Sequence, residues 1–174
     1  MRYLIFFILI ASSLSASIKF EDKFKLYELG KPIASNKIFY MGISYDGKPN
    51  KLVNIFDILI NGNDQNKIVS EEGRYIIFEG CKPRDCASKG MLWIDTKDKI
   101  AIGVIKHSFW EALDFSKYKP DQIFIFSNFL SNSNSLPDKF INDYKEWFLK
   151  YKFKPSVIRF LSSKDKIEII SEIK

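Results

Sequence analysis

Histidine and cysteine, the residues that most often carry catalysis or bind metals, are scarce in this chain. Its 174 residues include one histidine, His107, and two cysteines, Cys81 and Cys86. A single histidine excludes any mechanism or metal site that needs two imidazoles. The sequence also has no Ser/His/Asp signature and no glycine-rich phosphate loop. An enzyme is therefore the least favoured class, and we predict no catalytic residue, no metal and no cofactor.

The composition describes one folded, mildly basic domain. Hydrophobic residues make up 46% of the chain and include 16 phenylalanines, which excludes intrinsic disorder. The length is enough to bury a core and argues against two full domains. The net charge is +6, but the lysines are spread along the chain with acids between them. Nucleic-acid-binding proteins usually cluster their basic residues in the sequence or on one face, so we expect no nucleic-acid partner.

The amino-terminal residues are typical of a secretory signal. Arg2 precedes an apolar run at residues 4–10, and small residues follow up to residue 17. A transmembrane anchor is the alternative, but it needs about 20 apolar residues and this run meets serines much earlier. We therefore predict a signal peptide over residues 1–16 and a mature chain of residues 17–174. The mature protein is expected in a bacterial periplasm, without a membrane contact after cleavage.

Export changes the interpretation of the cysteine pair. In an oxidising compartment, Cys81 and Cys86 are expected to form a disulfide because they are close in sequence and have no competitors. Redox enzymes place two residues between their cysteines, whereas this chain places four. A zinc site would need two further ligands, and His107 is the only imidazole. His107 itself is expected at the surface, just past the end of a strand.

Hydrophobic periodicity predicts an α+β fold in which an antiparallel meander packs with helices. Strands are expected at residues 74–79, 90–95, 100–106, 122–129, 157–161 and 166–173, the last of which also fits a helix. The first three are too close in sequence for parallel pairing. Helices are expected at residues 23–29, 51–60 and 108–115, and after Ser135.

Two features define the predicted helix ends and faces. Ser108 and Glu111 form a possible capping box for residues 108–115, and Ser135 is expected to cap the later helix with Asp138 at its third position. That later helix carries an aromatic stripe, which at this spacing predicts a core face rather than a ligand site. The stripe consists of Phe140, Tyr144, Trp147, Phe148 and Tyr151.

The connection at residues 79–89 is the most informative segment. A hairpin turns with two to five residues, whereas this connection uses about ten and contains both cysteines. Pro83 presets φ for one corner of a turn, which is expected to place Arg84 at the apex, pointing away from the sheet. Lys82 stands beside it, and Asp85 is expected to cap the turn.

A disulfide across so short a loop adds only about 2 kcal/mol to global stability, so its main effect is to fix local shape. The guanidinium of Arg84 suits bidentate contact with carboxylates. We therefore predict a protruding, disulfide-closed hairpin loop that inserts into an acidic cleft of another protein.

The sequence Cys81-Lys82-Pro83-Arg84-Asp85-Cys86 resembles the signature loop of the Ivy family, periplasmic inhibitors of vertebrate C-type lysozyme. In that family the loop is Cys-Lys-Pro-His-Asp-Cys, and its histidine contacts the catalytic carboxylates. The resemblance implies a lysozyme inhibitor whose target-binding residues are Lys82, Pro83, Arg84 and Asp85, with Arg84 at the histidine position.

The resemblance covers residues 67–130, and residues from about 135 onward form a carboxy-terminal extension beyond the family's usual end. It also implies a homodimer as an assembly state. Two alternatives stay open: an exported binding module for another acidic protein, and a regulator of the cell's own peptidoglycan-cleaving enzymes. The latter suits the charge, because C-type lysozymes are typically basic and so is this chain. In a third interpretation the disulfide is only a structural staple.

Overall fold

A nine-stranded sheet organises the protein in the computed structural model, which describes residues 40–43, 49–110, 118–155, 157–164 and 166–170. The expected signal peptide and the expected helix at residues 23–29 lie outside the described residues. Within the described ranges, no helix is long and apolar enough to cross a membrane.

Eleven helices and strands follow one another along the described chain. They are β1 (Tyr40–Ile43), β2 (Pro49–Lys51), α1 (Leu52–Ile60), β3 (Asn63–Ser70), β4 (Tyr75–Lys82), β5 (Asp85–Asp95), β6 (Ile100–Trp110), β7 (Tyr118–Phe126), α2 (Asp138–Lys150), β8 (Val157–Leu161) and β9 (Ile167–Ile170). Short 3-10 turns precede β4 and α2.

The sheet runs in the order β3-β4-β5-β6-β7-β8-β9, and β1 pairs with β2 and with the end of β6. Strands β3 to β7 form an antiparallel meander, which confirms the predicted α+β sheet packed with helices. Strand β8 pairs parallel to β7, with α2 lying between them in the chain. A parallel neighbour requires such a crossover. The closing β8–β9 hairpin is antiparallel, as predicted.

Alternating side chains bury both faces of the sheet against a helix. On one face, Phe56 and Leu59 of α1 pack in a cluster with Phe78 and Leu92. On the other face, Trp93 contacts Phe140 of α2 with ring centroids 5.8 Å apart. The predicted aromatic stripe is confirmed as a core face, since three of its members are buried and two pack against the cluster: Phe140, Tyr144, Trp147, Phe148 and Tyr151.

Two helix predictions need correction. Residues 108–110 continue β6 and are not the start of a helix, because they pair with β7 through Phe109 and Trp110; residues 111–115 lie outside the described part. Ser135 does not cap α2. Its hydroxyl donates to the carbonyl of Asn132 at 2.6 Å, and Pro137 occupies the position before the helix.

Strand β3 was not predicted, because its sequence NDQNKIVS lacks the alternation of apolar and polar residues. It is an edge strand that pairs only with β4 in the described chain. Its apolar residues Ile68 and Val69 are both exposed, so the sequence of β3 does not show the alternation of buried apolar and exposed polar residues by which a strand is recognised.

Candidate functional site: the disulfide loop and its base

The predicted disulfide joins β4 to β5. Cys81 and Cys86 are bonded, with their Cα atoms 4.9 Å apart. We call residues 81–86 the disulfide loop. The predicted ten-residue connection is wrong in extent, because β4 continues to Lys82 and β5 begins at Asp85. The turn itself therefore contains only Pro83 and Arg84.

An irregularity in β5 accounts for the additional residues. Cys81 pairs with Lys89, whereas the next residue, Lys82, pairs with Asp85. Residues 86–88 are thus extra on the β5 side, in the manner of an enlarged β-bulge. Bulges bend a strand and change the direction of its side chains.

The loop tip, defined as Lys82, Pro83 and Arg84, is exposed to solvent. Arg84 has φ of 65°, in the left-handed region, and follows a proline, as does the second central residue of a type II turn. Within the described chain, Arg84 forms no ion pair or hydrogen bond. The structure describes only the backbone of Asp85, so its capping role stays a prediction.

Strand β6 holds the bulge from one side. Lys106 is 6% exposed, and its Nζ donates to the carbonyl of Ala87 at 2.6 Å. The Oγ of Ser88 lies 2.7 Å from Nδ1 of His107. The prediction that His107 is a surface residue beyond a strand is wrong: it lies inside β6 and is half-buried. Both residues after Cys86 are therefore bonded to β6.

The carboxy-terminal end of α2 holds β4. Glu79, which is 3% exposed, accepts a hydrogen bond from Nζ of Lys150 at 2.6 Å and another from Oη of Tyr151 at 3.1 Å. Burial lowers the pKa of Lys150, but its bonds to Glu79 and Tyr151 outweigh burial and raise that pKa overall. Nζ of Lys89 lies 4.3 Å from the centre of the Tyr151 ring. This cluster lies two residues before Cys81.

On the other face of the sheet, the backbone at the end of α1 lies in close contact with the backbone of β4. A Cβ on Gly80 would lie 2.3 Å from the carbonyl oxygen of Leu59, and one on Gly62 would lie 1.8 Å from that of Cys81. Only glycine permits these contacts between the end of α1 and β4. The base of the disulfide loop is therefore held by β6, α2 and α1 together.

Sequence reasoning identified the loop tip but missed the residues that hold its base. Glu79 ends an apolar strand segment, and Lys106 ends another, so a charge at the end of a buried run was the available signal. Their partners come from distant parts of the chain, which no local pattern indicates. In the described ranges no group of His, Cys, Asp and Glu is arranged to hold a metal ion.

The arrangement is a loop with a hydrogen-bonded base that presents two cations, Lys82 and Arg84, to solvent. No family model, curated protein or solved structure matches this chain. The resemblance to the Ivy family therefore rests on the hexapeptide and its strand context.

Proposed function

We propose that the protein is an inhibitor of a muramidase, either a C-type lysozyme or a related peptidoglycan-cleaving enzyme. It inserts the disulfide loop into the acidic active-site cleft of that enzyme, with Arg84 foremost, and has no chemistry of its own. The observation that carries this proposal is the exposed guanidinium of Arg84, which has no partner in the described chain.

The chemistry of the target explains why a cation would inhibit it. Glycoside hydrolysis by lysozyme-like enzymes needs two carboxyl groups, one protonated as the acid and one ionised. A guanidinium between them favours the ionised form of both and removes the acid. The loop also occupies the volume of the sugar ring. Inhibition thus combines occlusion of the cleft with loss of the protonated acid that catalysis requires.

Preorganisation supports the same proposal. The disulfide and the bonds from Lys106 to Ala87 and from Lys150 to Glu79 restrict the loop before a partner arrives. Ordering a flexible loop at binding costs free energy, so a loop that is already ordered binds more tightly. The protrusion of the loop from the sheet, the signal peptide of residues 1–16 and the periplasmic location belong to this proposal.

The test is inhibition of cell-wall lysis, followed by turbidity, with the purified oxidised mature protein. Arg84→Ala is expected to raise the inhibition constant at least tenfold, equivalent to about 1.4 kcal/mol. Lys99→Ala is the matched control, because Lys99 also has a positive φ (54°) in a hairpin turn, at the opposite end of the sheet. An unchanged inhibition constant for Arg84→Ala would falsify the mechanism.

The disulfide supplies a second arm of the same experiment. Replacing both Cys81 and Cys86 by serine removes the closure without leaving a free thiol. Inhibition is expected to weaken by at least tenfold while the circular dichroism spectrum of the sheet is retained. A double variant that inhibits as well as the parent protein would show that loop closure is irrelevant to the target.

The second candidate is a regulator of the cell's own peptidoglycan-cleaving enzymes or an exported binding module for another acidic protein. The basic net charge, which stays positive after loss of Arg2 with the signal peptide, favours a less basic muramidase, since a basic lysozyme would be repelled at long range. Pull-down against C-type, G-type and endogenous muramidases separates the candidates. The protein retained by an Arg84-dependent interaction is the target.

A further inference from the structure

The turn that follows α2 carries a row of exposed lysines. In the segment Lys150-Tyr151-Lys152-Phe153-Lys154 the three lysines are exposed, whereas Tyr151 is half-buried and Phe153 is buried. The two aromatic rings stack on each other with centroids 5.5 Å apart. Alternation therefore directs the aromatic side chains to the core and Lys152 and Lys154 to solvent, whereas the exposed Lys150 also pairs with Glu79. We call Lys150, Lys152 and Lys154 the lysine row.

The lysine row lies beside the base of the disulfide loop. Lys150 bonds to Glu79, which precedes Cys81 by two residues in β4. Nζ of Lys106, which also bonds the bulge carbonyl of Ala87, lies 5.7 Å from the ring of Phe153. Since a strand rises about 3.3 Å per residue, the loop tip is only a few residues from these contacts.

Charge at this end of the sheet is mostly uncompensated among the described side chains. Of the nearby acids, Glu79 is buried and already bound to Lys150, and Glu146 is exposed one turn earlier on α2. The opposite end differs. There Arg74 is bound by both Asp95 and Asp98, and further exposed acids follow β3: Glu71 and Glu72.

We propose that the lysine row is a second contact surface, which meets an acidic rim beside the cleft that receives Arg84. The partner is therefore a muramidase whose surface around the cleft is acidic, and a strongly basic lysozyme is disfavoured. This inference rests on the proposed function. Charges at the edge of an interface mainly set the association rate and exclude partners of like charge, which is a specificity role.

The arrangement fits a protein better than a nucleic acid or a membrane. Binding of single-stranded nucleic acid uses exposed aromatic rings, whereas Tyr151 and Phe153 pack inward. A membrane-surface element needs a continuous apolar face. Beside the lysine row, Leu149 is the single large apolar side chain that is exposed among the described residues, which is too little for such a face.

The experiment measures association with two immobilised muramidases, one with an acidic surface and one with a basic surface, at 50 and 300 mM salt. Lys152→Ala with Lys154→Ala is the test variant, and Lys150 is left intact because it bonds Glu79. Lys97→Ala with Lys164→Ala is the control, since both lysines are exposed and lie at the opposite end of the sheet.

The parent protein is expected to associate with the acidic muramidase at least tenfold faster than with the basic one at low salt. The test variant loses about three- to tenfold in this rate, the control keeps it, and high salt removes the difference. Equal rates for the test variant and the parent, or equal binding of both muramidases, overturn the inference. So does binding of anionic vesicles or RNA that depends equally on the row.

The two proposals fail separately in this design. If Arg84→Ala abolishes inhibition while the lysine-row variant binds normally, the loop mechanism stands and the second surface does not. If the parent protein inhibits neither muramidase, the proposed function itself is wrong.

Discussion

Lys106 in β6 reaches across to β5 and donates a hydrogen bond from Nζ to the carbonyl oxygen of Ala87, at 2.6 Å. Ala87 is the residue after Cys86, inside the bulge that ends the disulfide loop. A buried lysine therefore links the centre of the sheet to the segment that we propose enters the target. We therefore expect loss of this hydrogen bond to affect the order of the disulfide loop more than the stability of the fold.

Replacing Lys106 by methionine tests this positioning role. Methionine is unbranched and apolar but has no Nζ, so it loses both the hydrogen bond to Ala87 and the cation contact with the Phe153 ring. Because an apolar side chain in this buried place costs no desolvation, the free energy of unfolding is expected to change by less than about 1 kcal/mol. The dissociation rate from the muramidase is expected to rise at least threefold. Urea unfolding and surface plasmon resonance give the two quantities; a purely structural lysine would change the first and leave the second unaltered.

The bond between Glu79 and Lys150 is expected to respond unequally to removal of its partners. Glu79 is buried, whereas Lys150 is half exposed and returns to water when unpaired. Lys150→Met leaves a buried charge and is expected to cost about 2–3 kcal/mol of stability. Glu79→Gln keeps an acceptor for Tyr151 and is expected to cost less than half of that. Urea denaturation of the two variants and of their double variant measures this order, and a reversed order contradicts the assigned burial.

Arg84→Gly distinguishes function from stability at a single position. Because φ of Arg84 is 65°, glycine relieves a backbone cost of about 1 kcal/mol, and thermal unfolding is expected to occur at equal or higher temperature. Inhibition is nevertheless expected to fall at least tenfold, since the cation is lost. Lys99→Gly, at φ of 54°, is the control and is expected to gain stability without losing inhibition. If Arg84→Gly retained inhibition, the guanidinium would have no role at the target.

Asp95 makes part of the stability dependent on pH. Burial tends to raise the pKa of Asp95, but hydrogen bonds from Arg74 and from the backbone of Asp98 and Lys97 outweigh it and hold the pKa below 3.8. A carboxyl group whose folded-state pKa is lowered stabilises the protein above its unfolded pKa, and this contribution disappears as pH falls through the folded value.

Asp95→Asn is therefore expected to be less stable than the parent protein at pH 7, with the difference narrowing below about pH 3.8. Chemical denaturation at pH 7, 4 and 2.5 follows the difference. A gap that stays constant over this range would mean that the carboxylate charge of Asp95 is not what stabilises the β5–β6 turn.

Local patterns were sufficient for much of the fold. Apolar periodicity located α1, α2 and strands β4 to β9, because each buries a side that repeats along the chain. The bounds were less well predicted: β5 begins at Asp85 rather than residue 90, and β6 continues to Trp110 rather than ending at residue 106. The polar edge strand β3 has no such repeat and was missed. The stretch from Ser108 carries a helix-capping pattern, but pairing with β7 keeps residues 108–110 in a strand. Tertiary pairing overrides a local preference there.

The sequence was enough to predict the loop tip but not the contacts that hold the base of the disulfide loop. Two isolated cysteines around Pro83 and Arg84 were enough to predict a closed turn with an exposed cation. The bulge was not predictable, because the register of β4 against β5 depends on where both strands bury their side chains. The lysine row was likewise hidden, since only the crossover through α2 brings residues 150–154 beside the disulfide loop.

The most direct test of the central claim is competition for the muramidase cleft. Binding of the oxidised protein to the muramidase is titrated in the presence of a soluble peptidoglycan-like oligosaccharide that occupies the active site. If the disulfide loop fills the cleft, the apparent dissociation constant rises in proportion to the oligosaccharide concentration, and Arg84→Ala binds weakly throughout. A dissociation constant that does not change with saturating oligosaccharide would contradict insertion of Arg84 into the cleft.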